Sequence, residues 1–499
     1  MKTSLRAIAC LAVVIGAVCG AADAAVRVAG VFGDGMVLQG EANVPVWGWA
    51  EPGEKITVRL GEHAASVVAA SDGKWRAVLP ALKAGGPLAM TVAGAKDSLP
   101  LTLKDVLVGD VWLCSGQSNM DTNLSREPNA AEEIRTVAYP QIRLFRVPTG
   151  ASPAPRDDVK AQWVSCSPKT AGSFPSAAYF FARRLHKELG VPIGLLHAAV
   201  GDSSILTWMS PQALGSDPAL NKHVVATEKL RKDFAPLMAK ARPGSVPYAL
   251  RSQGGFLYNG MVSPLAGYGI RGAIWYQGEK DGWRYQQYPL CFRAMVTDWR
   301  RSWGMGDFPF LFVQLSTYKG WGDVQAAPDP TPNEGTWGFI REAQTLCLAV
   351  PNTAMAVSLD RQDFNDAHPK NKRAVGERLA LAALAKAYGK DIVHSGPMYE
   401  SMKVEGGKIR LRFSHVGRGL VVDGAKGKNG FAVAGKDRKF VWAEVAVDGD
   451  TLVAWSKEVP EPAAVRYAWA NFPYFGLSNK DGLPAPTFRT DDWPRPKAK

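Results

Sequence analysis

Between residues 106 and 395, short and almost unbroken apolar runs take turns with stretches of helical period. The first run, 106–114, contains Val111, Trp112, Leu113 and Cys114. Others follow at 191–200, 270–276, 308–315 and 353–359. A run without polar alternation predicts a strand buried on both faces. In 176–189, Ala177, Phe180, Phe181, Leu185 and Leu189 recur at helical spacing before Gly190. Tyr288, Phe292, Met295, Val296, Trp299 and Trp303 do so in 285–303, before Gly304. Val375, Leu379, Leu381, Leu384 and Ala387 do so in 372–388, before Gly389. Strand and helix alternating over this span predict a parallel α/β sheet with helices on its faces.

The flanks have a different texture. Residues 25–105 hold strand-like runs at 44–49, 56–60 and 75–79, punctuated by Gly53, by Ser71, Asp72 and Gly73, and by Gly85 and Gly86. From 396 onward 408–413 alternates cleanly, and 440–447 and 451–455 follow. The expected division is an export signal at 1–24, a β-sandwich-like domain at 25–105, an α/β domain at 106–395 and a β region at 396–499. A chain of 499 residues, 46% hydrophobic and 21% charged, is globular and long enough for about three domains.

Lys2 and Arg6 precede an apolar run at 8–18, and Ala22, Asp23 and Ala24 form a small-x-small pattern. This predicts a signal peptide cleaved near Ala24 and a secreted or periplasmic protein. An uncleaved anchor is the alternative, though the run is short for a bilayer. No later stretch is a membrane-span candidate. The net charge of +13 is spread along the chain without a nucleic-acid motif, so no nucleic-acid partner is expected. Cleavage removes Cys10 and Cys19. Cys114, Cys166, Cys291 and Cys347 remain, with three possible pairings. None stands in a Cys-x-x-Cys pair, so no zinc or redox site is expected. Cys114, Cys291 and Cys347 read as buried thiols.

Four polar pieces fall at the ends of the expected core strands. Gly116, Gln117, Ser118, Asn119 and Met120 follow the first strand and place a hydroxyl where a nucleophile belongs. Gly201, Asp202, Ser203 and Ser204 follow the run 191–200, where a glycine lets backbone N–H groups approach a ligand. Gln277, Gly278 and Glu279 follow Trp275 and Tyr276; the Gln277 amide is a candidate oxyanion donor. Asp366, Ala367, His368 and Pro369 stand before a helix and supply a base with a neighbouring carboxylate. A turn at Ser118 and a surface loop at His368 are the bland readings of the same residues. His197, in an apolar strand, reads as core.

These pieces, in this order, resemble the sialate O-acetylesterase family, a branch of the SGNH hydrolases. The resemblance runs through 32–39, 44–49, 109–120, 257–261, 274–279, 341–344, 366–372, 465–470 and 482–485. It implies a three-layer, flavodoxin-like SGNH core and a serine esterase that removes acetyl groups from O-acetylated sialic acids. Acetylated hemicellulose oligosaccharides are the alternative substrate, and a non-catalytic carbohydrate-binding protein is the alternative of another class. The resemblance implies Ser118 as nucleophile and His368 as base. It puts the backbone of Ser118 and Gly201 and the side chain of Gln277 in the oxyanion hole, with no metal or organic cofactor. Asp366 is expected as third triad member. Asn365 stands where many SGNH enzymes carry that Asp, so Asp363 and Glu279 are held in reserve. Asp202 departs from the branch's usual Gly-Gly-Thr block. Arg341, Glu279 and Asn119 are expected to touch substrate, Arg341 through a sialic carboxylate. Trp283, Trp321 and Trp337 are candidate sugar platforms.

Overall fold

The computed structural model describes residues 26–96, 99–321, 325 and 335–494. The expected export signal, Cys10 and Cys19 lie outside the described residues.

The apolar run after residue 105 belongs to a longer strand, Leu101–Gly116, of 16 residues. Four of its first five residues are exposed and its last eleven are all buried, and this accounts for the change in sequence texture. The early part pairs antiparallel with Gly85–Gly94 and parallel with Val37–Gln39. The later part lies parallel between Ile193–Ala199 and Gly272–Tyr276. The compositional boundary at 105/106 therefore falls inside one continuous strand.

Phe310–Gln314 and Thr353–Val357 extend the parallel sheet beyond Gly272–Tyr276. All residues of these strands are buried, as their almost unbroken apolar sequences lead one to expect. On the other side Tyr139–Arg146 adds in parallel to Ile193–Ala199, and Trp163–Cys166 closes that edge antiparallel. The whole is a mixed sheet of 11 strands rather than a purely parallel one. The N-terminal β strands run into it through the shared long strand.

The expected helices form at Ser176–Leu189, Tyr288–Trp303 and Lys372–Lys386, with a further one at Thr336–Leu346. The second starts at Tyr288, with Pro289 in its first turn, where a missing N–H is harmless. Asn371 caps the third, its side chain accepting the Ala374 N–H at 3.3 Å. After Leu101–Gly116 the chain moves to one side of the sheet and then, from Gly272–Tyr276, to the other. Right-handed crossovers therefore put helices on both faces. Beneath the second half lies a tryptophan stack. Trp275 meets Trp208 and Trp299 edge-on, with centroids 6.2 and 6.0 Å away.

The C-terminal β region holds one four-stranded antiparallel sheet, Met398–Glu405, Lys408–Ser414, Thr451–Trp455 and Glu444–Asp448. A second contains Val441–Trp442, Phe431–Ala434, Ala464–Tyr467 and Phe488–Arg489. It is bolted to the core: Arg489 holds Glu342 at 2.7 and 3.1 Å, and the Asn471 carbonyl accepts the Tyr318 N–H. Cys114, Cys166, Cys291 and Cys347 are buried free thiols. Among the described residues no helix is long and apolar enough to cross a membrane.

Candidate active site

The strand Leu101–Gly116 is the one from which the chain first winds to one side and later to the other. Its C-terminal end is thus the crevice where open α/β sheets hold ligands. Ser118 stands there, half-buried, at the start of the short helix Ser118–Asp121. Gly116 makes that position possible. Its φ is +140°, and a Cβ there would lie 2.2 Å from the Tyr276 carbonyl oxygen. Gly116→Ala combines a left-handed backbone with a backbone clash and is expected to cost roughly 2–6 kcal/mol. A melting temperature within a degree of wild type (about 1 °C) would contradict this.

His368 comes from the loop between the strand Thr353–Val357 and the helix Lys372–Lys386. Its Nε2 is 2.8 Å from Ser118 Oγ, and its Nδ1 is 2.8 Å from Asp366 Oδ1. The same carboxylate oxygen accepts the His368 backbone N–H at 2.9 Å, so ring and backbone are fixed by one atom. Partial burial works against the Asp366 charge. The His368 backbone N–H, its ring and the Lys372 ammonium outweigh that and hold the carboxyl below its usual range. The reserve candidates are elsewhere. Asp363 accepts the backbone N–H groups of Asn365 and Asp366, shaping the turn, and the Asn365 side chain accepts from Lys319.

Asn119 and Glu279 do not present themselves to substrate. Both are buried, and the Asn119 amide donates to the Glu279 carboxylate and to the Ala367 carbonyl at 3.0 Å. They tie the residue after Ser118 to the residue before His368. Burial raises the Glu279 carboxyl above its usual range, against the pull of its own N–H, the Asn119 amide, His368 and Lys372. Lys372, wholly buried, donates from Nζ to the Pro369 carbonyl. Burial pushes its ammonium down to about 8, against attraction from Glu127, Glu279 and Asp366. Sequence reading missed this lysine, which sits in a polar run and looked solvated.

Gly201 packs against Ser118: a Cβ there would lie 3.5 Å from Ser118 Cβ. Arg251 donates to its carbonyl at 2.8 Å. Asp202 has a φ of +56°, a conformation natural to glycine. Its carboxylate meets Lys280 Nζ at 2.7 Å, and Lys280 lies 4.0 Å over the exposed ring of Tyr248.

Gln277 departs from expectation. It is fully buried, and its amide donates to the Ser203 carbonyl at 3.0 Å and to Asp281 Oδ2 at 2.7 Å. A carbonyl and a carboxylate both need donors, so the NH₂ orientation is fixed and both its protons are engaged. Gln277 braces the site and has no proton left for an oxyanion. Asp281 is the hub of that brace, also accepting from Ser204 Oγ at 2.7 Å and the Ile205 N–H at 2.8 Å. Only its spacing of two from Glu279 could have marked it.

Arg341 is a second correction. It is 0% exposed, and its guanidinium donates to the carbonyls of Ser316, Ala468 and Ala470. It joins the core to the C-terminal region and is closed to a sugar carboxylate. Arg341→Met should lower stability by roughly 2–6 kcal/mol, at about 1–3 kcal/mol for each of the two closer carbonyls left bare. It should leave the ratio of KM values for acidic and neutral substrates unchanged; a selective rise for acidic ones would restore the contact. Trp337 is likewise buried, its indole N–H held by the Ser316 carbonyl at 2.9 Å. Trp283 and Trp321 are 66% and 50% exposed. His197 is buried in its strand, as expected.

Comparison with known proteins bears on this arrangement. The family model described as carbohydrate esterase, sialic acid-specific acetylesterase, matches residues 225–385. Sialate O-acetylesterase of Mus musculus is 30% identical over 500 aligned residues, spanning 90% of this chain and 90% of that protein. The Homo sapiens protein of that name is 29% identical over 494, spanning 90% and 88%. The crystal structure of a carbohydrate acetylesterase from Xanthomonas citri superposes with a TM-score of 0.82 at 37% identity, covering 94% of this chain and 100% of that one. Matched along nearly its whole length, the chain belongs to the sialate O-acetylesterase family.

Proposed function

We propose that Ser118, His368 and Asp366 form the relay of a carbohydrate O-acetylesterase acting on O-acetylated sialic acids. The observation that carries the reading is the line Ser118 Oγ, His368 imidazole, Asp366 Oδ1, with both hydrogen bonds 2.8 Å. An ionised Asp366 accepts Nδ1–H, which leaves the Nε2 lone pair toward the hydroxyl. Ser118 Oγ attacks the acetyl carbonyl as its proton passes to Nε2. The oxyanion is held by the backbone N–H groups of Ser118 and Gly201. The imidazolium then protonates the sugar oxygen, the C–O bond breaks, and the deacetylated sugar leaves. Water, deprotonated by His368, releases acetate from the acetyl-enzyme and restores Ser118. The names of the relatives support the sialic substrate.

Strand order supports an SGNH core. Ile193–Ala199, Leu101–Gly116, Gly272–Tyr276, Phe310–Gln314 and Thr353–Val357 lie side by side, in chain order second, first, third, fourth, fifth, the flavodoxin-like arrangement. The β regions 25–105 and 396–499 are its proposed companions, and the segment 1–24 supports a secreted or periplasmic setting.

Acetylated hemicellulose oligosaccharides are the second reading. It is favoured by the burial of Arg341 and by the exposed Trp283 and Tyr248 near the site. Acetate release from O-acetylated N-acetylneuraminic acid and from acetylated xylo-oligosaccharides, measured in parallel, decides. A higher kcat/KM is expected for the sialic acid; the reverse order would move the substrate to plant polymers.

A further inference from the structure

A cleft of about 310 Å³ lies between the N-terminal β region and the core, sharing no residue with the Ser118 relay. One wall is the small sheet containing Val44–Trp49 and Lys74–Leu79. In its register Trp47 faces Arg76 and Trp49 faces Lys74, so these four side chains stand on one face of the pleat. The other wall comes from Arg156, Asp157, Ser263, Pro264 and Ala266.

The charges in the cleft do not balance. Lys74 is matched by Asp157 at 2.8 Å, and nearby Arg27 by Asp158 at 3.2 Å. Arg76 and Arg156 have no carboxylate within ion-pair distance among the described residues. The Arg76 guanidinium donates to the Gly267 carbonyl at 3.5 Å and lies 5.6 Å over the Trp47 ring, and that of Arg156 donates to the Ala151 carbonyl at 3.3 Å. Partial burial of the otherwise exposed Arg76 lowers its pKa with no opposing anion. Two guanidiniums without counter-ions, beside two half-buried indoles, make a site with a defined chemical preference. A planar fork pairs with a carboxylate in two parallel hydrogen bonds, and an indole face packs against the C–H face of a sugar ring.

We propose that this cleft is a second, non-catalytic carbohydrate site that takes a sugar carrying a carboxylate. It would hold an acidic glycan on the enzyme while acetyl esters elsewhere on that glycan reach Ser118; this rests on the glycan-esterase reading above. Arg76 and Arg156 clamp the carboxylate, and Trp47 lines the ring, with Trp49 at the rim where the Arg27 guanidinium already lies 3.6 Å over its indole.

The test uses sugars without an ester, so binding is read apart from catalysis. Free N-acetylneuraminic acid and neutral xylobiose are titrated calorimetrically into the full mature protein, before and after Ser118 is blocked by an organophosphate. The same titrations are made on R76Q/R156Q, whose replaced side chains are exposed, with 4-nitrophenyl acetate hydrolysis as the control for an intact centre. The acid is expected to bind with Ser118 blocked, xylobiose to bind much more weakly, and R76Q/R156Q to lose at least about tenfold in affinity. Ester turnover should be unchanged in the variant. No binding of the acid at millimolar concentration, loss of binding when Ser118 is blocked, or undiminished binding by R76Q/R156Q would each overturn the proposal. Failure of the esterase reading would show separately, as absent acetate release from acetylated sugars.

Discussion

Ser118→Ala is expected to release acetate about a million times more slowly than the wild-type enzyme. In the proposed mechanism the side chain supplies the atom that bonds to the acetyl carbon, and its hydroxyl is the one His368 Nε2 meets at 2.8 Å. Asn119 and Thr122 bring no nucleophile in its place: Asn119 is spent on Glu279 and Ala367, and the Thr122 hydroxyl donates to the Ser118 carbonyl at 2.9 Å. The change removes one oxygen from a half-buried position, so stability should hardly move. Folded Ser118→Ala protein that still turns over acetyl esters would end the nucleophile assignment.

Asp366→Ala should lower kcat by about 10³–10⁴. In the proposed mechanism the carboxylate selects the Nδ1–H tautomer, anchors the loop through the His368 N–H and stabilises the imidazolium. Asp366→Asn separates these roles. A single oxygen, Oδ1, accepts both the ring and the backbone N–H, and an amide oxygen can do the same. The asparagine variant therefore keeps the geometry and loses the charge. With His368 and Asp366 45% and 46% exposed, water screens part of that charge. Its loss should accordingly be the smaller of the two. Asp366→Ala turning over within tenfold of wild type (about 1.4 kcal/mol) would reject Asp366 and send the search to Asp363.

Much of this was legible in the sequence. Buried parallel strands announce themselves because they are almost wholly apolar, as in Gly272–Tyr276 and Phe310–Gln314. Helix ends were readable from single residues, Gly190 and Gly304, both in the left-handed conformation. Residues of the proposed relay could be named because chemistry restricts them to few types at strand ends. The misses share a cause: sequence shows which polar groups exist, not which are already satisfied. Gln277 and Arg341 have the right functional groups, but tertiary contacts 74 and 127 residues away consume them. Lys372 was missed for the converse reason, since a lysine beside Lys370 and Arg373 gives no sign of being buried. The antiparallel edge Trp163–Cys166 is too short and too mixed to stand out from a loop.

The strand Leu101–Gly116 also limits how this molecule can be taken apart. Each end of it belongs to a different neighbourhood, one made by Gly85–Gly94 and Val37–Gln39, the other by the sheet that carries Ser118. A cut at residue 106 would leave a ragged, unpaired strand end twelve residues ahead of Ser118 (about 40 Å along an extended chain). It would also strip the partners that set that strand's tilt. The N-terminal β region is thus not cargo that could be swapped between enzymes or dropped from a minimal catalyst. Gene fusions, deletions and chimeras of this chain should respect 26–116 as one indivisible stretch, with the seam placed elsewhere.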